Sequence, residues 1–354
     1  MKKLTVSAGV LLVLSACGGG GAGSGSGGVT LPAPPSTPGA PSTGCSTKPA
    51  DLASLQIFPA DSPWRTDISR APLDYRSNDI ISFLSQTNAS LFANFGSGNY
   101  NGAPIGMPFV VVCDQAPVSV SYRANSYDGN YGSESDPGPM PVPLNAPIEE
   151  NGASDSHVLV VDAKNYKLYE LYNASLIAGG TGWAASSGAK FDLNSNAQRP
   201  LCWTSADAAG LPIFPGLLRY DEVAGGAVRH PVRFTLQANR VSPGFTAPAR
   251  HAVSGSNSST TAPTPMGMRL RLKSGVDISG YSAANRTILT AMKNYGIILA
   301  DIGSNFFISG APDPRWDNSD LQKLRAIRPS DFEVVQMDRI YNPQIPADGA
   351  LCGR

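Results

Sequence analysis

The chain of 354 residues carries 27 basic and 27 acidic side chains and only 15% charged residues, which excludes a strongly basic nucleic-acid binder. Its 37 glycines and 30 prolines make up about 19% of the residues, against roughly 12% in an average chain, and mark a loop-rich protein. With 42% hydrophobic residues there is apolar surface for one sizeable core or two modest ones, so global disorder is excluded as well.

Residues 1–16 read as an export signal. Lys2 and Lys3 precede an apolar run from Leu4 to Leu14, too short for a bilayer-spanning helix of about 20 residues. The run ends in Leu14-Ser15-Ala16-Cys17, which resembles the lipobox of bacterial lipoproteins. That resemblance implies a diacylglycerol on the Cys17 thiol and, because Gly18 rather than aspartate follows, sorting to the outer membrane of a Gram-negative cell. No polybasic stretch helps membrane binding, so the acyl chains must supply the anchorage. The lipidated cysteine begins a tether over residues 17–44, glycine-serine-rich and then proline-rich, which cannot build a core. Residues 45–354 are expected to form a single β-rich globular domain.

In the body, Asn78–Gln86 has the apolar spacing of a short helix. Short runs rich in Val, Ile, Tyr and Phe, bounded by Pro, Gly, Asn or Asp, predict strands over Pro108–Cys113, Val118–Tyr122, His157–Val161 and Leu168–Tyr172. The last two flank Asp162-Ala163-Lys164-Asn165 and should pair as a hairpin. Further strands are expected at Val232–Leu236, Met268–Leu272, Ile297–Ala300 and Phe306–Ser309. Ser282 can cap a helix through Asn294, with Ile288, Leu289, Met292 and Tyr295 on one stripe and Gly296 as terminator, and Asp320–Ile327 is a shorter helical candidate. Many strands with a few peripheral helices predict a mainly β body of β-sandwich or jelly-roll type rather than alternating βαβ units.

Apart from Cys17 there are four cysteines, Cys45, Cys113, Cys202 and Cys352, an even number that in an exported chain predicts disulfides. No CxxC or CxxH spacing suggests a zinc ribbon or a redox motif. Because domain termini often lie close together, Cys45–Cys352 with Cys113–Cys202 is the expected pairing.

The stretches DSHVLVVD (155–162), FDLNSN (191–196), RPLCWTSADAAGLPIFPGLLRYDEV (199–223) and PMGMRLRLK (265–273) resemble a family of exported bacterial proteins without an assigned activity. The likeness runs from about Phe58 to Val334; it implies one structural unit and carries over no catalytic residue.

Candidate chemistry therefore comes from the residues themselves. Only three histidines occur, His157, His230 and His251. Asp155 and His157, two apart, would face the same side of a strand, where the carboxylate can orient the imidazole and raise its pKa. Convergence of the three histidines would make a metal centre conceivable, but HExxH is absent and no metal or other cofactor is expected. The segment 183–222 mixes Trp183, Trp203 and Tyr220 with Asp192, Arg199 and Asp207, the aromatic faces and polar groups that sugar rings require. Asp207 also fits a short helical turn capped by Ser205, a purely structural role.

The expected function is hydrolysis of extracellular polysaccharide by paired carboxyl groups. Asp155 and Asp192 or Asp207 would do the acid–base work, His157 the tuning, and Trp183, Arg199, Trp203, Tyr220 and His230 the substrate placement. One alternative is a non-catalytic glycan-binding or adhesion lipoprotein. Another is a polysaccharide lyase with His157 or Tyr220 as base and Arg199 neutralising a uronate.

Overall fold

The expected hairpin around Asp162 organises the first half of the body. In the computed structural model, which describes residues 45–48, 52, 55, 57–124 and 131–352, it is formed by Val158–Asp162 and Lys167–Tyr172 in antiparallel register, with Val158 opposite Leu171 and Asp162 opposite Lys167. Asp162 makes the turn, its two carboxylate oxygens accepting from the Asn165 backbone N–H at 3.0 Å and from the Asn165 amide at 2.8 Å. The export signal, Cys17 and the tether lie outside the described residues.

In chain order the strands are β1 (Phe92–Ala93), β2 (Asn99–Tyr100), β3 (Ala103–Pro104), β4 (Phe109–Val112), β5 (Ser119–Tyr122), β6 (Val158–Asp162), β7 (Lys167–Tyr172), β8 (Ser175–Leu176), β9 (Gly182–Ala185) and β10 (Ser187–Asp192). There follow β11 (Val232–Leu236), β12 (Phe245–Thr246), β13 (Arg269–Leu272), β14 (Ile297–Ile302), β15 (Phe307–Ile308), β16 (Phe332–Val334) and β17 (Ile340–Tyr341). The α-helices are α1 (Ser77–Ser85), α2 (Tyr220–Ala224), α3 (Ala283–Asn294), α4 (Asn318–Leu321) and α5 (Pro346–Leu351). The body is mainly β with few helices.

One sheet has the order β10-β7-β6-β4. All five residues of β6 are buried, because both of its faces are covered. Val158 and Val160 pack in a cluster with Trp183 and Met140, Leu159 packs with Ile213 and Leu217, and Val161 joins the largest core. Burial on both sides explains why the strand reads as a continuous apolar run rather than an alternating one.

The second large sheet has the order β1-β15-β11-β14-β13-β16 and is mixed, β11 running parallel to β14 and β1 parallel to β15. The chain passes from β13 to β14 through α3, which starts where the sequence places it. Ser282 Oγ accepts from the Asn285 N–H at 3.1 Å, Ile288, Leu289 and Met292 are buried, and Gly296 follows with φ 77°. Between Phe234 and Thr235 the register with β14 slips: Phe234 faces Leu299 and Thr235 faces Asp301, so Ala300 is bulged. The Asp320–Ile327 helix is shorter than expected, α4 giving way to a 3-10 turn over Gln322–Ala326.

Both disulfides form, in the pairing that terminus proximity did not favour: Cys45–Cys113 and Cys202–Cys352, with Cα–Cα distances of 5.9 and 5.5 Å. The reason is local. Strand β17 pairs with β12, which brings the C-terminal segment to the chain around residue 245, and the Cys202 N–H donates to the Arg250 carbonyl nearby at 2.6 Å. Cys352 therefore meets Cys202 rather than the start of the body.

Candidate active site

Where β6 begins and β14 ends, the two large sheets border an open cleft of about 630 Å³, a size suited to a small ligand or a few sugar units. Its wall includes the loop Thr204–Ala208, Asp155 before β6, Asp301 on β14, and Tyr172, Glu134 and His251. The loop is held by short-range polar contacts. Ser205 Oγ donates to the Leu211 carbonyl at 2.5 Å and accepts from the Asp207 N–H at 2.9 Å, and Ser187 Oγ donates to the Ser205 carbonyl at 2.7 Å. Ser205 thus closes a turn on Asp207, but no helix follows.

Asp207 is sealed, its side chain fully buried, and accepts two hydrogen bonds from Arg233, Nε at 2.9 Å and Nη2 at 2.8 Å. The same Nη2 reaches Asp301 Oδ2 at 2.6 Å, and Nη1 donates to Ser309 Oγ at 2.8 Å. One guanidinium is shared by two carboxyl groups, an arrangement that favours a proton on one of them. That group is Asp301. Burial, followed by the charge of Asp207, pushes its carboxyl up to about 8 against the pull of Arg233. Its side chain is 15% exposed and it lines the cleft.

His157 lies beneath this pair, buried, with Nδ1 2.5 Å from Glu149 Oε2 and Nε2 2.9 Å from the Ala206 carbonyl. Burial alone would lower its pKa; the Glu149 carboxylate overrides that and holds it up at about 9, with a smaller push from Asp155. As an imidazolium, both ring nitrogens donate, and Nε2–H fixes the loop one residue before Asp207. Glu170, in the centre of β7, is also buried and raised, to about 7, while accepting from the Ile213 and Phe214 backbone N–H groups.

Of the residues singled out by sequence, Asp155, His157 and Asp207 come together here. Asp192 does not. It sits at the opposite end of the β7–β10 ladder facing Lys167, five residues from Tyr172, or about 16 Å at the usual strand rise. There it is ion-paired to Lys167 at 2.7 Å, and that bond and the Asn194 N–H hold its carboxyl below the ordinary range. Trp183 is wholly buried with its indole N–H donated to the Val142 carbonyl at 3.3 Å, so it is core and has no face for a sugar. Arg199 is buried between Phe191 and Trp203 and donates to the Thr204 and Glu134 carbonyls, both at 2.6 Å, and to Asp136 at 2.5 Å. It is a clamp for two loops of the cleft wall, and Trp203 is its half-buried lid.

Tyr220 and His230 lie elsewhere. Tyr220 packs edge-on to Trp316 beneath Arg315, and His230 Nε2 is 3.3 Å from Glu222 on α2. The three histidines do not meet, and among the described residues no His, Cys, Asp or Glu side chains assemble into a set able to hold a metal ion. Sequence reasoning missed Asp301, Arg233 and Glu149. A signal existed for the first two: each is the one charge inside a mostly apolar strand, IILADI and VRFTL, a placement that requires a partner when buried. Comparison with known proteins finds no match, whether to a protein-family profile, a curated protein or a solved structure.

Proposed function

We propose that the cleft hydrolyses glycosidic bonds of an extracellular polysaccharide, with Asp301 as general acid and Asp155 as the second carboxyl group. The observation that carries this reading is the unequal pair. Asp301 is a carboxyl held protonated near neutral pH at the cleft wall, while Asp155 is solvent-exposed on the same cleft. Asp301 would give its proton to the leaving glycosidic oxygen as the C–O bond breaks, and Asp155 would either take a proton from the attacking water or attack the anomeric carbon itself. Tyr172 and His251 line the same cleft; Trp183 does not. The lyase alternative loses support, because Arg199 is engaged by Asp136 and two carbonyls and Tyr220 lines a different hollow.

Release of reducing ends from a panel of polysaccharides tests the reading. Wild type should cleave at least one of them, Asp301→Asn and Asp155→Asn should each lose roughly 10²–10⁴-fold, and Asp192→Asn should retain full rate. Carboxyl variants as active as wild type would refute it. The envelope anchor rests on Leu14–Cys17, with no described helix long and apolar enough to cross a membrane. Radiolabelled palmitate should enter the wild-type chain and not a Cys17→Ala variant; equal labelling of both would remove that part.

A further inference from the structure

Resting on the acid role of Asp301, we infer that Asp207 is a positioning residue, which never touches substrate and keeps Asp301 protonated by holding the fork of Arg233. Four features of the geometry carry this. Asp207 takes two of the Arg233 N–H groups while Asp301 receives one, so the cation's charge is committed unequally. Asp207 has no exposed surface, and a proton placed on it would disrupt a buried two-bond fork; Asp301 opens to the cleft and can hold a proton without breaking one. The elements are also locked in register: the carbonyl of the bulged Ala300 accepts from the Ala209 N–H at 3.0 Å, tying the Asp207 loop to the residue preceding Asp301. Finally, Asp301 Oδ1 accepts from its own neighbour's N–H, Ile302, at 2.8 Å, which fixes the carboxyl plane toward Arg233 and the cleft.

The charged groups facing Asp301 are Asp207 from the loop, Arg233 from β11, and Asp155 and His157 just before β6. Two are cations, one of which, His157, is already paired with Glu149. Replacing Asp207 by asparagine removes the nearer negative charge and releases the whole Arg233 fork to Asp301. Both changes favour the ionised form of Asp301, so it would stop being an acid at neutral pH.

Carboxyl ¹³C titration of the full chain labelled at aspartate reads this without any substrate, with the Asp301 signal assigned by its loss in Asp301→Asn. In wild type, the Asp301 signal should titrate with a midpoint well above the ordinary carboxylate range. In Asp207→Asn the Asp301 midpoint should fall by about two pH units, with Asp207→Glu restoring it. An Asp301 midpoint within the ordinary carboxylate range in wild type, or a midpoint unmoved in Asp207→Asn, would overturn the inference. With the carboxyl resonances also assigned through bonds to the backbone, the wild-type Asp301 midpoint tests the inference even where the variants do not fold. Should the titration behave as expected while no glycan is cleaved, the hydrolase reading fails and only the electrostatic hold of Asp207 on Asp301 stands.

Discussion

Trp183 and Trp203 stand twenty residues apart in a segment whose composition suggested a sugar platform, and the structure gives them different work. Trp183 fills the cluster between β6 and β9; removing its indole leaves a cavity and an unpaired Val142 carbonyl, which should cost about 3–5 kcal/mol. Trp203 is half-buried over Arg199 at 5.6 Å, and its truncation removes mainly a cation–π contact, about 1 kcal/mol. Urea denaturation of Trp183→Ala and Trp203→Ala checks the contrast, and equal losses would show that the burial argument is wrong. Composition cannot separate the two roles, because a tryptophan's neighbours in sequence do not say which of its faces will be covered.

The elements that were legible are those fixed by local chemistry: the Asp162 turn of the β6–β7 hairpin, and α3 between Ser282 and Gly296. What remained hidden depends on pairing between distant segments, such as the parallel β11–β14 contact with its bulge at Ala300 and the β12–β17 contact that decides the disulfides. The hairpin also carries a pH signature. His157, on its approach, has a folded pKa of about 9 above an ordinary 6.5, so its contribution, about 3 kcal/mol, is complete below pH 6.5 and is lost as pH rises through 9. Glu170, on β7, sits at about 7 above an ordinary 4.5, so folding takes up a proton and stability declines as pH rises from 4.5 to 7. Calorimetric Tm should therefore fall between pH 5 and pH 9, and Glu170→Gln should flatten the first part of that fall. A Tm that is constant or rises over this range would contradict the electrostatic description.

Across the whole molecule, two sheets contribute different halves of one cleft. The β6 end supplies Asp155 and His157, the β11–β14 end supplies Arg233 and Asp301, and the loop at 204–208 joins them. The first half could be read from sequence because histidines are scarce and draw the eye to Asp155 and His157. The second could not be read as a site, since Asp301 and Arg233 gain meaning only from their contact across paired strands. The most direct measurement is the pH dependence of kcat/KM on whichever glycan is cleaved. The expected profile falls above pH 8 as Asp301 loses its proton, and this alkaline limb disappears, together with most of the rate, in Asp301→Asn. An unchanged alkaline limb and rate in that variant would contradict the assignment of Asp301 as the acid.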